Sequence, residues 1–94
     1  GQQIYQGMAE GYRKLGKLTE SLAAYDKAIA LDSNFAQARE YRAETYLALG
    51  QLSNAEAELT FLQKLKSPYA DQLASAIELF KLEEITKAAN TNGK

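Results

Sequence analysis

The chain contains no cysteine, no histidine and no tryptophan, and it has a single proline. Without cysteine there is no disulfide bond or thiol nucleophile, and without histidine there is no imidazole acid–base group. Zinc sites built on these two residue types are excluded as well. The carboxylate pairs, such as Glu40 with Glu44 and the adjacent Glu83 and Glu84, lack the cleft arrangement that hydrolysis requires. We therefore expect a non-enzyme with no catalytic, cofactor-binding or metal-binding residues.

Neither sign of charge dominates the chain. Eleven Lys and Arg residues oppose twelve Asp and Glu residues, which leaves a formal charge of −1. This balance disfavours nucleic-acid partners and a polybasic membrane anchor, and no apolar run approaches the roughly 20 residues of a membrane span. The 46% hydrophobic content is ordinary for a globular protein. A chain of 94 residues is expected to form a single domain.

An internal repeat organises the chain. Displacing the sequence by 34 residues brings ten of the first 34 positions onto an identical residue. Six of the ten lie in one short window, and they pair Ala9 with Ala43, Glu10 with Glu44, Tyr12 with Tyr46, Leu15 with Leu49, Gly16 with Gly50, and Leu18 with Leu52. Periods of this length are typical of stacked helical units.

Each unit is predicted to be a helix, a short turn and a second helix. Apolar residues recur at three- and four-residue steps, and Gly16 and Gly50 stand where the first helix of each unit should end. Thr19 and Ser53 are expected to cap the following helices with their hydroxyl groups. Ser67 is expected to cap a fifth helix. Alternating strand-type patterns are lacking, so we expect no sheet.

The spacing of small and aromatic residues resembles the tetratricopeptide repeat (TPR), a helical hairpin of the same period. The first unit matches it at Tyr5, Met8, Ala9, Tyr12, Gly16, Leu18, Ser21, Tyr25 and Ala28, and the second at Ala43, Tyr46, Gly50, Leu52 and Ala55. The second unit departs from the pattern, because Arg39 and Arg42 replace bulky apolar residues and Leu62 replaces a small one. We expect the two arginines to pair with nearby acids on a helix flank.

This resemblance implies an all-α fold, a right-handed superhelix of two helix-turn-helix repeats and a C-terminal capping helix. We expect one domain over residues 1–89, with repeats at 2–34 and 36–67 and the capping helix at 68–89. Residues 90–94 have nothing to bury and are expected to be a disordered tail. The inward stripe of the capping helix is predicted to be Tyr69, Leu73, Ala76, Ile77 and Phe80.

TPR modules generally bind proteins, so the resemblance implies a partner-binding scaffold. In such arrays the first helix of each unit lines a concave groove, which here would hold a protein or peptide partner, basic or extended. The groove residues are predicted to be Gln6, Glu10, Arg13, Lys14, Gln37, Glu40, Tyr41, Glu44 and Glu78, with Ala74 and Lys81 nearby. Glu10, Glu44 and Glu78 are spaced one repeat apart. This spacing is typical either of a row of carboxylates that bind a partner or simply of a solvated helix face. Carboxylates there would repel the acidic chaperone tails that some members of the family bind.

The fifth helix also suggests a structural role. Leu79, Leu82 and Ile85 lie off its predicted inward stripe, where a solvated cap would be polar. Clustered exposed apolar residues often mark an interface. The alternative function is therefore self-association into a homo-oligomer, or assembly into a longer repeat array, through this helix. Contact with a neighbouring segment and extra packing onto the second repeat are the competing explanations.

Overall fold

The computed structural model describes residues 1–92 of the chain, and over that range the fold is entirely α-helical. Its five helices are α1 (Gln2–Lys14), α2 (Leu18–Leu31), α3 (Ala36–Ala48), α4 (Leu52–Lys64) and α5 (Tyr69–Asn92). Each helix packs against its neighbour in the chain, and α5 also packs against α3. This arrangement confirms the predicted all-α helical repeat with a fifth helix after the two hairpins.

Left-handed residues end three of the helices, and two of these residues are the predicted glycines. Gly16 and Gly50 both have a φ of +77°, which glycine adopts without steric cost. The amides that follow close the turns, with Lys17 N bonded to Tyr12 O at 2.9 Å and Gln51 N bonded to Tyr46 O at 2.8 Å. These bonds satisfy carbonyls that the helix itself leaves free and hold α2 and α4 against their partners.

The third such turn uses a residue that the sequence pattern does not mark. Lys66 follows α4 with a φ of +55°, and Ser67 N bonds to Leu62 O at 3.0 Å. The hydrogen-bond pattern is the same as at the two glycines. A residue with a Cβ is strained in this conformation, so the backbone of this turn has a higher conformational energy than the two glycine turns.

Two of the three predicted caps are wrong. The residues that precede α2 and α4 are Lys17 and Gln51, and neither makes a side-chain capping bond. Thr19 and Ser53 lie inside the first helical turn, because α2 and α4 begin at Leu18 and Leu52. Ser67 does act as predicted, since its Oγ accepts a hydrogen bond of 3.1 Å from Tyr69 N.

Helix α5 is almost twice as long as its counterparts. Glu84 occupies the position that corresponds to Gly16 two repeats earlier and to Gly50 one repeat earlier, so the signal that ends α1 and α3 is missing. The helix therefore continues to Asn92. The expected end at residue 89 and the disordered tail from residue 90 do not agree with this helix for residues 90–92. The remaining two residues of that predicted tail lie outside the described range.

The core consists of two clusters, one for each hairpin. The first contains the fully buried Tyr25 together with Ile29 and the small residues Ala9, Ala24, Ala28 and Ala38. The second joins α3, α4 and α5 through Ala43, Leu47, Ala55, Leu62, Ala70, Leu73 and Ile77. Tyr69, Ala76 and Phe80 pack against this second cluster, so the predicted inward stripe of α5 is confirmed.

An ionic cluster accounts for the two arginines that break the apolar pattern of α3. Arg39 Nη1 lies 2.9 Å from Glu58 Oε1, and Arg42 bonds to the other oxygen of the same carboxylate. Arg42 also reaches Asp26 at 2.9 Å, while the Arg39 guanidinium lies 3.6 Å from the centre of the Phe61 ring. Because Glu58 is almost completely buried, the cluster ties α2, α3 and α4 together through paired charges.

Candidate functional site

The predicted groove begins with a polar network between α1 and α3. Gln6 Nε2 donates to Gln37 Oε1 at 2.8 Å, and Gln37 Nε2 donates to Tyr41 Oη at 3.4 Å. The Arg13 guanidinium lies 5.0 Å from the centre of the Tyr41 ring. The structure thus brings together four residues that are separated by up to 35 positions and that sequence spacing assigns to one surface.

Tyr25 of α2 lies directly beneath this network. Its ring meets that of Tyr41 edge-on, with the ring centres 6.4 Å apart, and it has no solvent exposure. Its hydroxyl has no hydrogen-bond partner among residues 1–92. Burial raises the pKa of Tyr25 to about 12, helped by the nearby Glu10, Tyr41 and Glu40 and opposed by Arg13. Glu10 and Arg13 therefore also lie close to the groove floor.

Glu40 is the residue whose position differs most from expectation. It is fully buried rather than available in the groove, and its Oε1 accepts a 3.1 Å hydrogen bond from Gln72 Nε2 on α5. Burial raises the pKa of Glu40 to about 9, and a hydrogen bond to Glu44 and the charge of Glu44 act in the same direction. A protonated Glu40 can donate to Glu44, whereas an ionised Glu40 leaves its Oε2 without a donor among the described residues.

The remaining predicted residues divide by exposure. Glu10, Arg13, Gln37, Tyr41 and Glu44 are partly exposed, and Lys14 is exposed. Gln6 is buried like Glu40, so these two side chains support the groove from within and are not free to bind a partner.

Glu78, the third carboxylate of the predicted row, lies on α5, which is covered by other helices on only one side within the described residues. Glu78 is exposed on α5 next to Leu79 and Leu82. It occupies the corresponding position in the repeat, but no helix follows α5 within the described residues to enclose it. Whether it acts with Glu10 and Glu44 remains a prediction.

The apolar residues of α5 are exposed as expected. Leu79, Leu82 and Ile85 are 57%, 59% and 65% exposed. At 100° per residue, their mean direction is opposite the stripe formed by Leu73, Ile77 and Phe80. This helix is consequently apolar on two opposite sides, and only one side is covered by the rest of the described chain.

None of the helices within residues 1–92 combines the length and the apolar character needed to cross a bilayer. This finding includes α5, the longest of them.

Comparison with known proteins identifies the kind of repeat. A family model described as a TPR repeat matches residues 10–50, which extend from α1 into the turn after α3. No curated protein and no solved structure gives a significant match to the chain. The family match confirms the resemblance over residues 10–50, which carry tetratricopeptide-repeat sequence within an all-α fold.

The matched repeat belongs to a class whose general role is known. TPR repeats generally mediate protein–protein contacts and serve as non-catalytic scaffolds. Sequence reasoning did not find Gln72, the helix-to-helix partner of Glu40. The only signal in the sequence was that Gln72 follows Gln37 by about one repeat, and even this spacing is one residue longer than the repeat.

Proposed function

We propose that the groove over α1 and α3 binds an extended segment of a partner protein. The observation that carries this proposal is the network of Gln6, Gln37 and Tyr41, which holds polar groups of two helices in fixed positions. Fixed polar groups on a nearly preformed surface reduce the ordering cost of binding.

The hydrogen-bond donors that this network leaves over suit a peptide backbone. Gln37 retains a second amide N–H, and Tyr41, which accepts from Gln37, retains its own O–H as a donor. Both donors suit the carbonyl oxygens of an extended chain. Glu10 and Glu44 are partly exposed acceptors for peptide N–H groups or for lysine and arginine side chains.

The charges favour a basic or amide-rich partner segment. Glu10 lies on the groove, whereas Arg13 is already engaged over the Tyr41 ring. The Glu10 carboxylate would therefore both attract and orient a basic segment.

Cross-linking at a defined position tests the proposal. A photo-reactive amino acid would replace the exposed Lys14, and cross-linked partners would be identified after exposure to lysate from the source organism. We expect a partner segment rich in basic or amide residues, and we expect its capture to be lost with Glu10→Lys. The charge-matched control is Glu20→Lys on α2, which should leave capture intact. Equal capture by the two variants would refute recognition in the groove.

A second function, self-association, is favoured by the exposed stripe of α5. Leu79, Leu82 and Ile85 together present a large apolar surface on a helix that extends beyond the two hairpins. A second copy of the chain would cover this surface on both partners at once. Analytical ultracentrifugation of wild type and Leu82→Glu tests this function. A dimer that becomes monomeric supports it, and a wild type that stays monomeric at high concentration excludes it.

A further inference from the structure

A second concave surface lies between the end of α3 and the middle of α5. It is a cleft of about 620 Å³, a size typical of ligand-binding pockets. Its apolar lining includes Leu47, Leu49, Ala76, Leu79 and Phe80. It does not include Gln6, Gln37 or Tyr41, so it is separate from the network on which the proposed groove rests.

Carboxylates dominate the polar part of the cleft. Glu44 comes from α3, and Glu83 and Glu84 come from the extended half of α5. Against these three acids stands one cation, Lys87, whose Nζ lies 4.0 Å from Glu84. Within residues 1–92 Glu83 forms no ion pair. The cleft therefore combines an apolar floor with an excess of negative charge.

The length of α5 creates this cleft. Glu84 replaces the glycine that ends α1 and α3, so α5 passes beyond the end of α3 instead of turning back. Helical residues 83–87 then form one wall, and the α3–α4 turn at Leu49 and Gly50 forms the other. In the first hairpin the corresponding residue, Leu15, is exposed, whereas Leu49 is only partly exposed.

We propose that this cleft binds a short segment of another protein in which an apolar side chain is flanked by lysine or arginine. The apolar side chain would pack against Leu79 and Phe80, and the basic groups would pair with Glu44, Glu83 and Glu84. Charge complementarity selects this occupant, because an acidic or purely apolar segment would leave the carboxylates unpaired or repelled. The cleft is thus a specificity site beside α5, and Glu44 is the one predicted groove residue that also lines it.

Titration of the isotope-labelled domain with a synthetic peptide tests this assignment by NMR. The probe is a blocked peptide of two leucines flanked by lysines and glycines, and its control has glutamate in place of lysine. We expect the lysine peptide to shift the amides of residues 47–50 and 76–87 in a saturable way, and the glutamate peptide to have no effect. Shifts confined to Gln37 and Tyr41, no saturable shift, or equal effects of both peptides would each overturn the proposal.

Four variants sharpen the test, and they change residues that are exposed or partly exposed. Glu83→Gln/Glu84→Gln should weaken the lysine peptide roughly fivefold, the effect expected of an exposed ion pair. Leu79→Ser should weaken it as well, whereas Ile85→Ser, an equally exposed residue outside the cleft, should not. Equal losses with Leu79→Ser and Ile85→Ser would place the peptide on the outer stripe instead and overturn the assignment. Glu10→Lys, which tests the groove, should leave peptide binding here unchanged, so the two proposals can fail separately.

Discussion

Gln72 of α5 donates a 3.1 Å hydrogen bond to Glu40 of α3, a carboxyl group with no exposed surface. This contact crosses 32 positions of the sequence and joins the last helix to the middle of the second hairpin. Since α5 has no following helix among the described residues, polar contacts such as this one supplement its apolar stripe in holding it in place. Glu40 is therefore a structural residue, and burial raises its pKa so that the protonated form is favoured.

The stability of the domain should fall as the pH rises. The pKa of Glu40 is raised from 4.5 to about 9 by burial first and then by Glu44, so folding favours its protonated form. The free energy of unfolding that protonated Glu40 contributes is fully present below pH 4.5 and is lost as the pH rises towards 9. Each unit by which folding raises the pKa corresponds to about 1.4 kcal/mol. Thermal unfolding of wild type and Glu40→Gln across this range measures it.

Glu40→Gln should flatten this pH dependence, because the amide keeps an acceptor for Gln72 and has no proton to lose. The exposed Glu20→Gln serves as the control and should follow the wild type. Parallel curves for wild type and Glu40→Gln would show that Glu40 does not titrate abnormally.

Removing Glu58 should destabilise the domain far more than removing an exposed glutamate. Glu58→Ala leaves Arg39 and Arg42 partly buried without their shared carboxylate, which typically costs about 3–5 kcal/mol. Glu56→Ala on the same helix breaks only the half-exposed pair with Lys81 and should cost less than about 1 kcal/mol. Urea unfolding of the two variants provides the comparison, and similar midpoints would contradict the role given to the cluster.

Lys66→Gly should stabilise the domain. Lys66 adopts the left-handed conformation that glycine takes at the corresponding ends of α1 and α3, and relieving this strain is worth about 1 kcal/mol. For a domain of this size that energy corresponds to roughly 4–8 °C in Tm. The control, Gln63→Gly within α4, should lower Tm because glycine is unfavourable inside a helix. A decrease in Tm with Lys66→Gly would mean that its side chain makes a contact worth more than the strain.

Glu84→Gly should shorten α5. It restores the residue that ends the first helix of each earlier unit, so the residues beyond it should lose helical order while the core stripe remains intact. Far-ultraviolet circular dichroism should show a small loss of helix, and hydrogen exchange should locate it after residue 84. Glu84→Ala should retain the full helix, and a Glu84→Gly variant indistinguishable from it would show that the missing glycine does not explain the length of α5.

The repeating part of the fold was predictable because it depends on local chemistry. Glycine at two corresponding positions ends two helices, and apolar spacing identifies the stripe of α5. The expected caps at Thr19 and Ser53 were wrong, because residues with hydroxyl groups lie one position inside these helices while Lys17 and Gln51 precede them. Helix α5 also continues three residues beyond the expected end at residue 89, because no glycine or proline that would stop it lies within residues 85–92.

For the candidate site, the sequence by itself determined the helix face on which the groove residues lie, since helical spacing brings Gln6 and Arg13 together, and Gln37 and Tyr41 together. Only the tertiary structure decided which of them are accessible. Gln6 and Glu40 are buried because neighbouring helices cover them, and the same packing places Tyr25 beneath Tyr41 and Gln72 beside Glu40. Burial and partner choice depend on contacts between residues 16 to 32 positions apart, and the spacing of residue types along the chain does not specify which of these residues touch.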